Sequence, residues 1–271
     1  MVHSLHESAV RLLDEAIGRL SRRDDASVHA ARKAAKRTRA ALRLLRGSLG
    51  TAVYRRENRR VRNAARPLTA VRDAYVLRAT LRHLPTRQRA LAQRLTAGYR
   101  RERRAFATRG LKSSLRQLAA ARARLAGQSA AAPEIGSLAQ GVGRTYRAGR
   151  KAMARARSDD GTLHEWRKQS KYLLDELELL RDVFAVDAGR LRHRAEKLSG
   201  LLGEDHDLAV LLREIADPAA GGTRLRELIH GRRRELQRRA AKQGRRLYRR
   251  PAKHVEAGIA RRLADGRRRR R

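Results

Sequence analysis

The segment His29-Ala-Ala-Arg32-Lys33-Ala-Ala-Lys36 places one imidazole and three cations at positions i, i+3, i+4 and i+7. On an α-helix these positions share one face, so the segment predicts a helix with a cationic stripe. Arg43, fourteen residues after His29, extends the stripe. The opposite side of the same helix is mostly apolar, and it carries Ala31, Ala35, Thr38, Leu42 and Leu45.

The same pattern, H-x-x-R-K-x-x-K, returns 135 residues later in His164-Glu-Trp-Arg167-Lys168-Gln-Ser-Lys171. The predicted packing face of this second helix is again apolar, with Trp166, Leu173, Leu177 and Leu180. The continuation of the stripe differs, because Asp175 and Glu178 stand where the first copy carries Arg43. We therefore expect an asymmetric cationic surface that is stronger in the N-terminal half.

A second pair of motifs supports an internal duplication. Residues 68–77 align with residues 202–211, which places Asp73 opposite Asp207 at an offset of 134. Two motifs in the same order and at nearly the same offset indicate two similar halves. The two aspartates are expected either to cap a helix or to pair with an arginine.

Composition restricts the partners of the chain. It has 271 residues with 67 Lys and Arg against 27 Asp and Glu, a net charge of +40 and no cysteine. Such an excess of positive charge raises the local concentration of anionic partners, and the absence of cysteine excludes disulfides and thiolate metal sites. No run approaches the 18 apolar residues of a membrane span, and the N-terminus lacks the apolar core of a signal peptide, so we expect a cytoplasmic protein.

Almost the whole chain has helical patterning, with few prolines and no convincing alternating strand. Ser27 and Thr162 are the expected N-caps of the two stripe helices. The stretch 127–133 is the expected divide between the halves, and the five arginines 267–271 form a basic tail. Helices are predicted over residues 4–20, 27–46, 51–82, 86–125, 134–156, 162–184, 188–216, 223–249 and 252–264.

Four motifs carry a resemblance to the CHAD domain, a family of histidine-containing α-helical domains. They are His29-x-x-Arg32-Lys33-x-x-Lys36-Arg37-x-Arg39, His164-x-x-Arg167-Lys168-x-x-Lys171-Tyr172, Arg72-Asp73-x-x-Val76-Leu77 and Leu202-Gly203-x-x-His206-Asp207. The resemblance covers residues 4–249, with halves of about 4–127 and 134–249, and leaves 250–271 as a basic C-terminal helix and tail. It implies an all-α fold of two similar four-helix-bundle-like halves, related by pseudo-twofold symmetry around a basic groove or pore.

The ligand that the resemblance implies is inorganic polyphosphate, bound without catalysis at polyphosphate granules in the cytoplasm. The alternative is a basic helical protein that binds nucleic acid weakly and non-specifically through its charge. Nine aromatic residues in the chain disfavour readers of single-stranded nucleic acid, which stack bases on aromatic rings. The expected polyphosphate-binding residues are His29, Arg32, Lys33, Lys36, Arg37, Arg39, Arg43, Arg72, His164, Arg167, Lys168, Lys171 and His206.

Catalytic and metal sites are not expected, nor is a cofactor. The cluster Glu204-Asp205-His206-Asp207 lacks the spacing that would put metal ligands on one helical face. The E-x-E pair of Glu176 and Glu178 is similar to part of the E-x-E-x-K element of triphosphate-tunnel hydrolases, but Leu180 replaces the lysine. The basic runs outside the stripes are expected to attract polyanions only in a general way.

Overall fold

The structure is a computed structural model that describes residues 4–22, 24–85, 88–128, 133–157, 159–215 and 222–268. These residues form helices and contain no strand, so the predicted all-α fold class is confirmed. The helices are α1 (Leu5–Ser21), α2 (Asp25–Leu44), α3 (Arg46–Leu49), α4 (Thr51–Ala64), α5 (Arg66–Arg82), α6 (Arg89–Ala105), α7 (Leu111–Ala126), α8 (Ile135–Arg155), α9 (Asp160–Phe184), α10 (Gly189–Glu214), α11 (Gly222–Leu247) and α12 (Ala252–Arg268).

Two long helices of the sequence analysis are interrupted. The helix predicted over 51–82 is wrong, because it divides at Ala65 into α4 and α5. Pro67 lies in the first turn of α5, where it has no N–H to donate and its ring excludes the carbonyl one turn earlier. The helix predicted over 86–125 contains the π-helical turn Phe106–Gly110 between α6 and α7. A Cβ atom on Gly110 would lie 2.9 Å from Cβ of Pro67, so this turn lies directly against the start of α5.

Both stripe helices begin earlier than predicted. The N-caps are Asp24 and Asp159, three residues before Ser27 and Thr162, so the predicted caps are wrong. The Asp24 carboxylate accepts from the backbone N–H of Ser27 at 2.7 Å, and Asp159 accepts from Thr162 N–H at 2.9 Å. A carboxylate is favoured at this position because it also meets the positive end of the helix dipole.

The first core lies in the N-terminal half, where α1 packs on α2 and α7 and where α4 packs on α2 and α7. Alanine dominates the face that α2 contributes to the interior: Ala31, Ala34, Ala35, Ala40 and Ala41 are all buried. Such small side chains let α1 and α2 approach closely, and the cations of α2 are thereby held on its other face.

The second core lies in the C-terminal half, where α8 packs on α9 and α12 and where α10 packs on α9 and α11. Trp166, the apolar anchor of the second stripe helix, is 3% exposed. It packs against α11 at Gly244, where a Cβ atom would lie 2.5 Å from Cζ2 of the indole. Leu5, Ala41 and Leu44 of the first half belong to the same core, so the two halves share one apolar interior.

A third apolar cluster joins the halves at a separate place. It consists of α5 and α6 residues packed against α10 and α11 residues, including Leu81, Leu91, Leu208, Leu211 and Ile229. The halves therefore meet both along α2 and α9 and at the far ends of α5 and α10. Pseudo-twofold symmetry of the halves stays a prediction, as does the division into a domain and a C-terminal tail, although α12 contributes Val255, Ile259 and Leu263 to the second core.

Candidate functional site

Cations from the two halves converge between α2, α5, α9 and α10. The pKa of Arg32 in α2 is lowered to about 10. Burial is the main cause, and repulsion from Arg72 of α5 and from Arg167 of α9 adds to it. Burial also lowers the pKa of Arg167, and Arg72 again opposes its charge. The two stripes therefore share one electrostatic field. We call Arg32, Lys36, Arg72 and Arg167 the central cluster.

Lys36 is the most strongly perturbed cation of the central cluster. Burial lowers its pKa to about 7, and Arg32, Arg167 and Lys171 oppose its positive charge while Asp175 favours it. A partly desolvated ammonium surrounded by guanidinium groups loses its proton readily. Near neutral pH this lysine is therefore divided between its charged and neutral forms.

Three members of the central cluster form no ion pair with any residue that the structure describes. Arg32 donates from Nε to Oγ1 of Thr69, which is 3.3 Å away, and this partner is neutral. Lys36 and Arg167 have no carboxylate within ion-pair distance in the described ranges. Unpaired cations that are partly buried cost free energy in the free protein, and a bound anion would offset that cost.

Two aspartates lie beside the cluster. Arg72 forms ion pairs with Asp73 at 3.0 Å and with Asp207 of α10 at 3.6 Å, so the expectation that these aspartates pair with arginine is confirmed. Neither caps a helix, because both lie within helices, α5 and α10. Burial raises the pKa of Asp207, although Arg72 and Arg167 favour its charged form. These carboxylates orient Arg72 and bridge the two halves.

Three histidines surround the cluster. Burial and then the neighbouring Arg32 lower the pKa of His29, while burial and Arg167 lower that of His164. His206 of α10 lies against His164, with ring centroids 5.0 Å apart, and burial lowers its pKa to about 4. All three imidazoles are therefore expected to be neutral at pH 7 in the free protein.

Three further predicted residues of α2 have partners away from the central cluster. Arg37 pairs with Asp182, and Arg39 donates from Nε to Oδ1 of Asn58 at 2.9 Å. Arg43 pairs with Glu176 and stacks on Tyr172, 4.0 Å from the ring centroid. Arg37 and Arg43 thus bind carboxylates of the other half, and their part in ligand binding stays a prediction.

The second stripe is more neutralised than the first. Lys168 pairs with Glu165 one turn earlier, and Lys171 pairs with Asp175 at 3.1 Å. Lys33, the counterpart of Lys168, has no ion pair with a described residue. The described residues therefore place the stronger uncompensated charge on α2, and stronger binding by the N-terminal half stays a prediction.

Two residues beside the central cluster, Thr69 and Arg213, lie outside the predicted set. Thr69 lies three residues before Arg72 on α5, so helical spacing could have placed it beside the cluster. Arg213 opposes the charge of both His164 and His206. It stands seven residues after His206, which puts it on the same face of α10, but no motif marked it.

Two further features are absent from the described ranges. They contain no group of three or more His, Asp or Glu side chains placed to hold a metal ion. None of their helices is long and apolar enough to cross a membrane. What the central cluster offers is a set of N–H donors and positive charge.

These features define an all-helical protein in which two bundles converge on a half-buried cationic cluster. The family model of the CHAD domain matches residues 5–216, so the chain belongs to the CHAD family. Its fold is similar to the crystal structure of the CHAD domain from the plant Ricinus communis, with a TM-score of 0.57 and 19% identity over 94% of this chain and 91% of that one. No curated protein matches the chain in sequence.

Proposed function

We propose that the protein binds inorganic polyphosphate, without catalysis, through a basic groove centred on Arg32, Lys36 and Arg167. The observation that carries the proposal is the convergence of these three unpaired, partly buried cations from two halves of the chain. A chain of phosphates delivers closely spaced negative charge and oxygen acceptors, which guanidinium groups bind in bidentate fashion.

The placement of the aromatic side chains favours polyphosphate over single-stranded nucleic acid. Phosphate oxygens are the whole recognition surface of polyphosphate, whereas single-stranded nucleic acid is usually held by base stacking on aromatic rings. Trp166, Tyr146, Tyr248 and Phe106 are buried in the cores. Tyr75 is an exposed aromatic side chain, at 46% exposure, and it packs edge-on against Tyr99. The central cluster itself contains no aromatic platform.

The test is a competition between long-chain polyphosphate and duplex DNA, at equal phosphate concentration and one near-physiological salt concentration. We expect polyphosphate to displace DNA, and the affinity for polyphosphate to fall as salt rises, because counterion release drives part of the binding. Equal competition by DNA would instead support non-specific nucleic-acid binding.

Two further parts of the proposal need their own measurements. Incubation with polyphosphate should leave its chain length unchanged, because the proposed role is binding alone; release of phosphate would overturn it. In cells, a fluorescent fusion of the protein should collect at cytoplasmic polyphosphate granules. A fusion in which the charges of the central cluster are reversed should not collect there.

A further inference from the structure

A second basic cavity lies away from the central cluster, between the start of α10, the end of α11 and α12. Its volume is about 620 Å³, within the range of small-ligand sites. Apolar side chains of Leu191, Val255 and Ile259 contribute to its wall. The described lining also carries seven arginines: Arg190, Arg194, Arg246, Arg249, Arg250, Arg261 and Arg262.

This cavity is separate from the groove. On α10 it involves residues up to Arg194, whereas the groove involves His206 and Asp207. His206 follows Arg194 by twelve positions on α10, a distance of about 18 Å at 1.5 Å per residue. One compact ligand therefore cannot occupy both places.

The positive charge of the cavity is uncompensated in the described residues. None of its seven arginines forms an ion pair with a described residue. The lining contains one described carboxylate, that of Asp187, which accepts from the backbone N–H of Gly189 at 2.7 Å. Neighbouring like charges without counter-ions repel each other, and an anion bound among them would relieve the repulsion.

Several groups in the cavity are held in place by the backbone. Arg194 donates from Nη1 to the carbonyl oxygen of Arg246, and Arg262 donates from Nη1 to that of Gly258, both at 2.9 Å. Tyr146 is buried, and its hydroxyl lies 3.0 Å and 2.9 Å from the carbonyl oxygens of Leu247 and Arg250. Its single hydrogen is shared between these two carbonyls, at the end of α11 and just after it, and partly neutralises acceptors that would otherwise repel an anion.

We propose that this cavity binds a di- or triphosphate group, as a site distinct from the polyphosphate groove. Seven guanidinium groups around a pocket of this size match a compact ligand with several negative charges better than one with a single carboxylate. The group can come from free inorganic oligophosphate or from a nucleotide, and the apolar wall offers a contact surface for the nucleoside in the second case.

The test uses tripolyphosphate and ATP as separate probes in calorimetric titrations. The cavity variant is Arg190→Gln, Arg250→Gln, Arg261→Gln. The control variant is Arg55→Gln, Arg59→Gln, Arg62→Gln, which makes the same change in charge on one exposed face of α4. Both are made in an Arg32→Gln, Arg167→Gln background, which weakens binding in the groove.

We expect the cavity variant to lose at least about tenfold in affinity for tripolyphosphate and the control to lose less than about threefold, because direct phosphate contacts matter more than distant charge. Tighter binding of ATP than of tripolyphosphate would identify a nucleotide as the source of the phosphate group. Tighter binding of tripolyphosphate would identify a free oligophosphate. Equal losses in the two variants would overturn the site.

A second measurement uses the unaltered chain. Phenylglyoxal modifies accessible arginines, and mass spectrometry reads the extent at each. Tripolyphosphate should protect Arg190, Arg250 and Arg261 while Arg55 and Arg59 stay reactive; uniform reactivity would refute the proposal. Failure of this site leaves the groove untouched, since long-chain polyphosphate binding depends on Arg32 and Arg167.

Discussion

Arg43 of α2 donates from Nε to Oε1 of Glu176 in α9 at 2.8 Å, and this ion pair joins the two halves of the chain. Glu176 is fully buried and also accepts from Oγ1 of Thr145 at 3.0 Å. Burial raises the pKa of Glu176, although Arg43 favours its charged form. The pair is thus a structural link in which one predicted ligand residue is already occupied by a carboxylate.

Replacing Glu176 with alanine should lower the free energy of unfolding by about 3–5 kcal/mol, because Arg43 would remain partly buried without its partner. The double variant Arg43→Met, Glu176→Leu should recover most of that loss, since two apolar groups need no counter-charge. Urea denaturation of the double variant and of the single variants Arg43→Met and Glu176→Leu measures the coupling, and Glu176→Ala gives the cost of leaving Arg43 unpaired. A double variant no more stable than Glu176→Ala would contradict this account.

Charge reversal tests the groove itself. The change of Arg32, Lys33 and Lys36 to glutamate should weaken polyphosphate binding by at least about tenfold, because it removes unpaired cations at the point of contact. The same change at Arg55, Arg59 and Arg62, or at three arginines of the tail 267–271, should cost far less. Filter binding at fixed salt provides the comparison, and indistinguishable losses would indicate bulk charge.

The second stripe should respond more weakly. Changing Arg167, Lys168 and Lys171 to glutamate should reduce affinity less than the first-stripe triple does, because both lysines are already paired with carboxylates. The two triples make the same change in charge, so the ratio of their effects measures the asymmetry of the groove. A larger loss from the second triple would refute the expected order.

Binding should tighten as pH falls from 8 to 6. Burial and nearby cations lower the pKa values of His29, His164 and Lys36 in the free protein, and a bound polyanion raises them again. A group whose pKa rises on binding takes up a proton, so affinity increases as pH falls through the free and bound values. We expect an increase of about three- to tenfold over this range.

Two variants separate the contributions to this pH dependence. His29→Gln, His164→Gln removes the imidazoles, and Lys36→Met removes the ammonium whose pKa is about 7. The histidine variant should keep the part of the pH dependence of affinity that arises from Lys36. Retention of the full slope in the histidine variant would show that neither histidine protonates on binding.

Lys36→Met should also stabilise the free protein while weakening its binding. Because the folded pKa of about 7 lies below the ordinary 10.5, the unfolded chain holds more protons between those values, and wild-type stability rises with pH across them. The advantage of methionine is therefore largest at or below pH 7 and falls steadily as the pH rises towards 10. Thermal unfolding at pH 6, 7 and 9 measures it, and an equal or lower midpoint at pH 6 would contradict the assignment.

Much of the fold and the centre of the site could be predicted from the sequence because both follow from helical periodicity. The apolar side of each stripe helix, including Leu42 and Leu173, is buried as the spacing predicts. The repeated H-x-x-R-K-x-x-K motif identified Arg32 and Arg167, which the fold brings into one field. Periodicity does not reveal a partner on another helix, so the pairing of Arg43 with Glu176 could not be inferred.

The ends of the helices were less predictable, because they depend on capping residues and prolines as well as on the hydrophobic periodicity. The aspartates at 24 and 159 cap their helices ahead of the residues expected, since a carboxylate and a hydroxyl both fit the capping role. The break at Ala65 depends on Pro67. From the sequence alone, a proline at this position is compatible with the start of a new helix or with a kink in a continuous one. The cavity between α10, α11 and α12 involves no sequence repeat, and hence no motif marked it.

The alanine face of α2 determines how closely this helix lies against its neighbours, and so the position of the cations that it carries. Ala31 and Ala35 fix how close α2 lies to its neighbours in the first core, on the side opposite Arg32 and Lys36. A single larger side chain at position 31 or 35 would overpack the first core and shift α2, with its cations, relative to α9. Under the proposed function, the affinity for polyphosphate would then change through core residues that contact no phosphate, while every charge of the central cluster stayed the same.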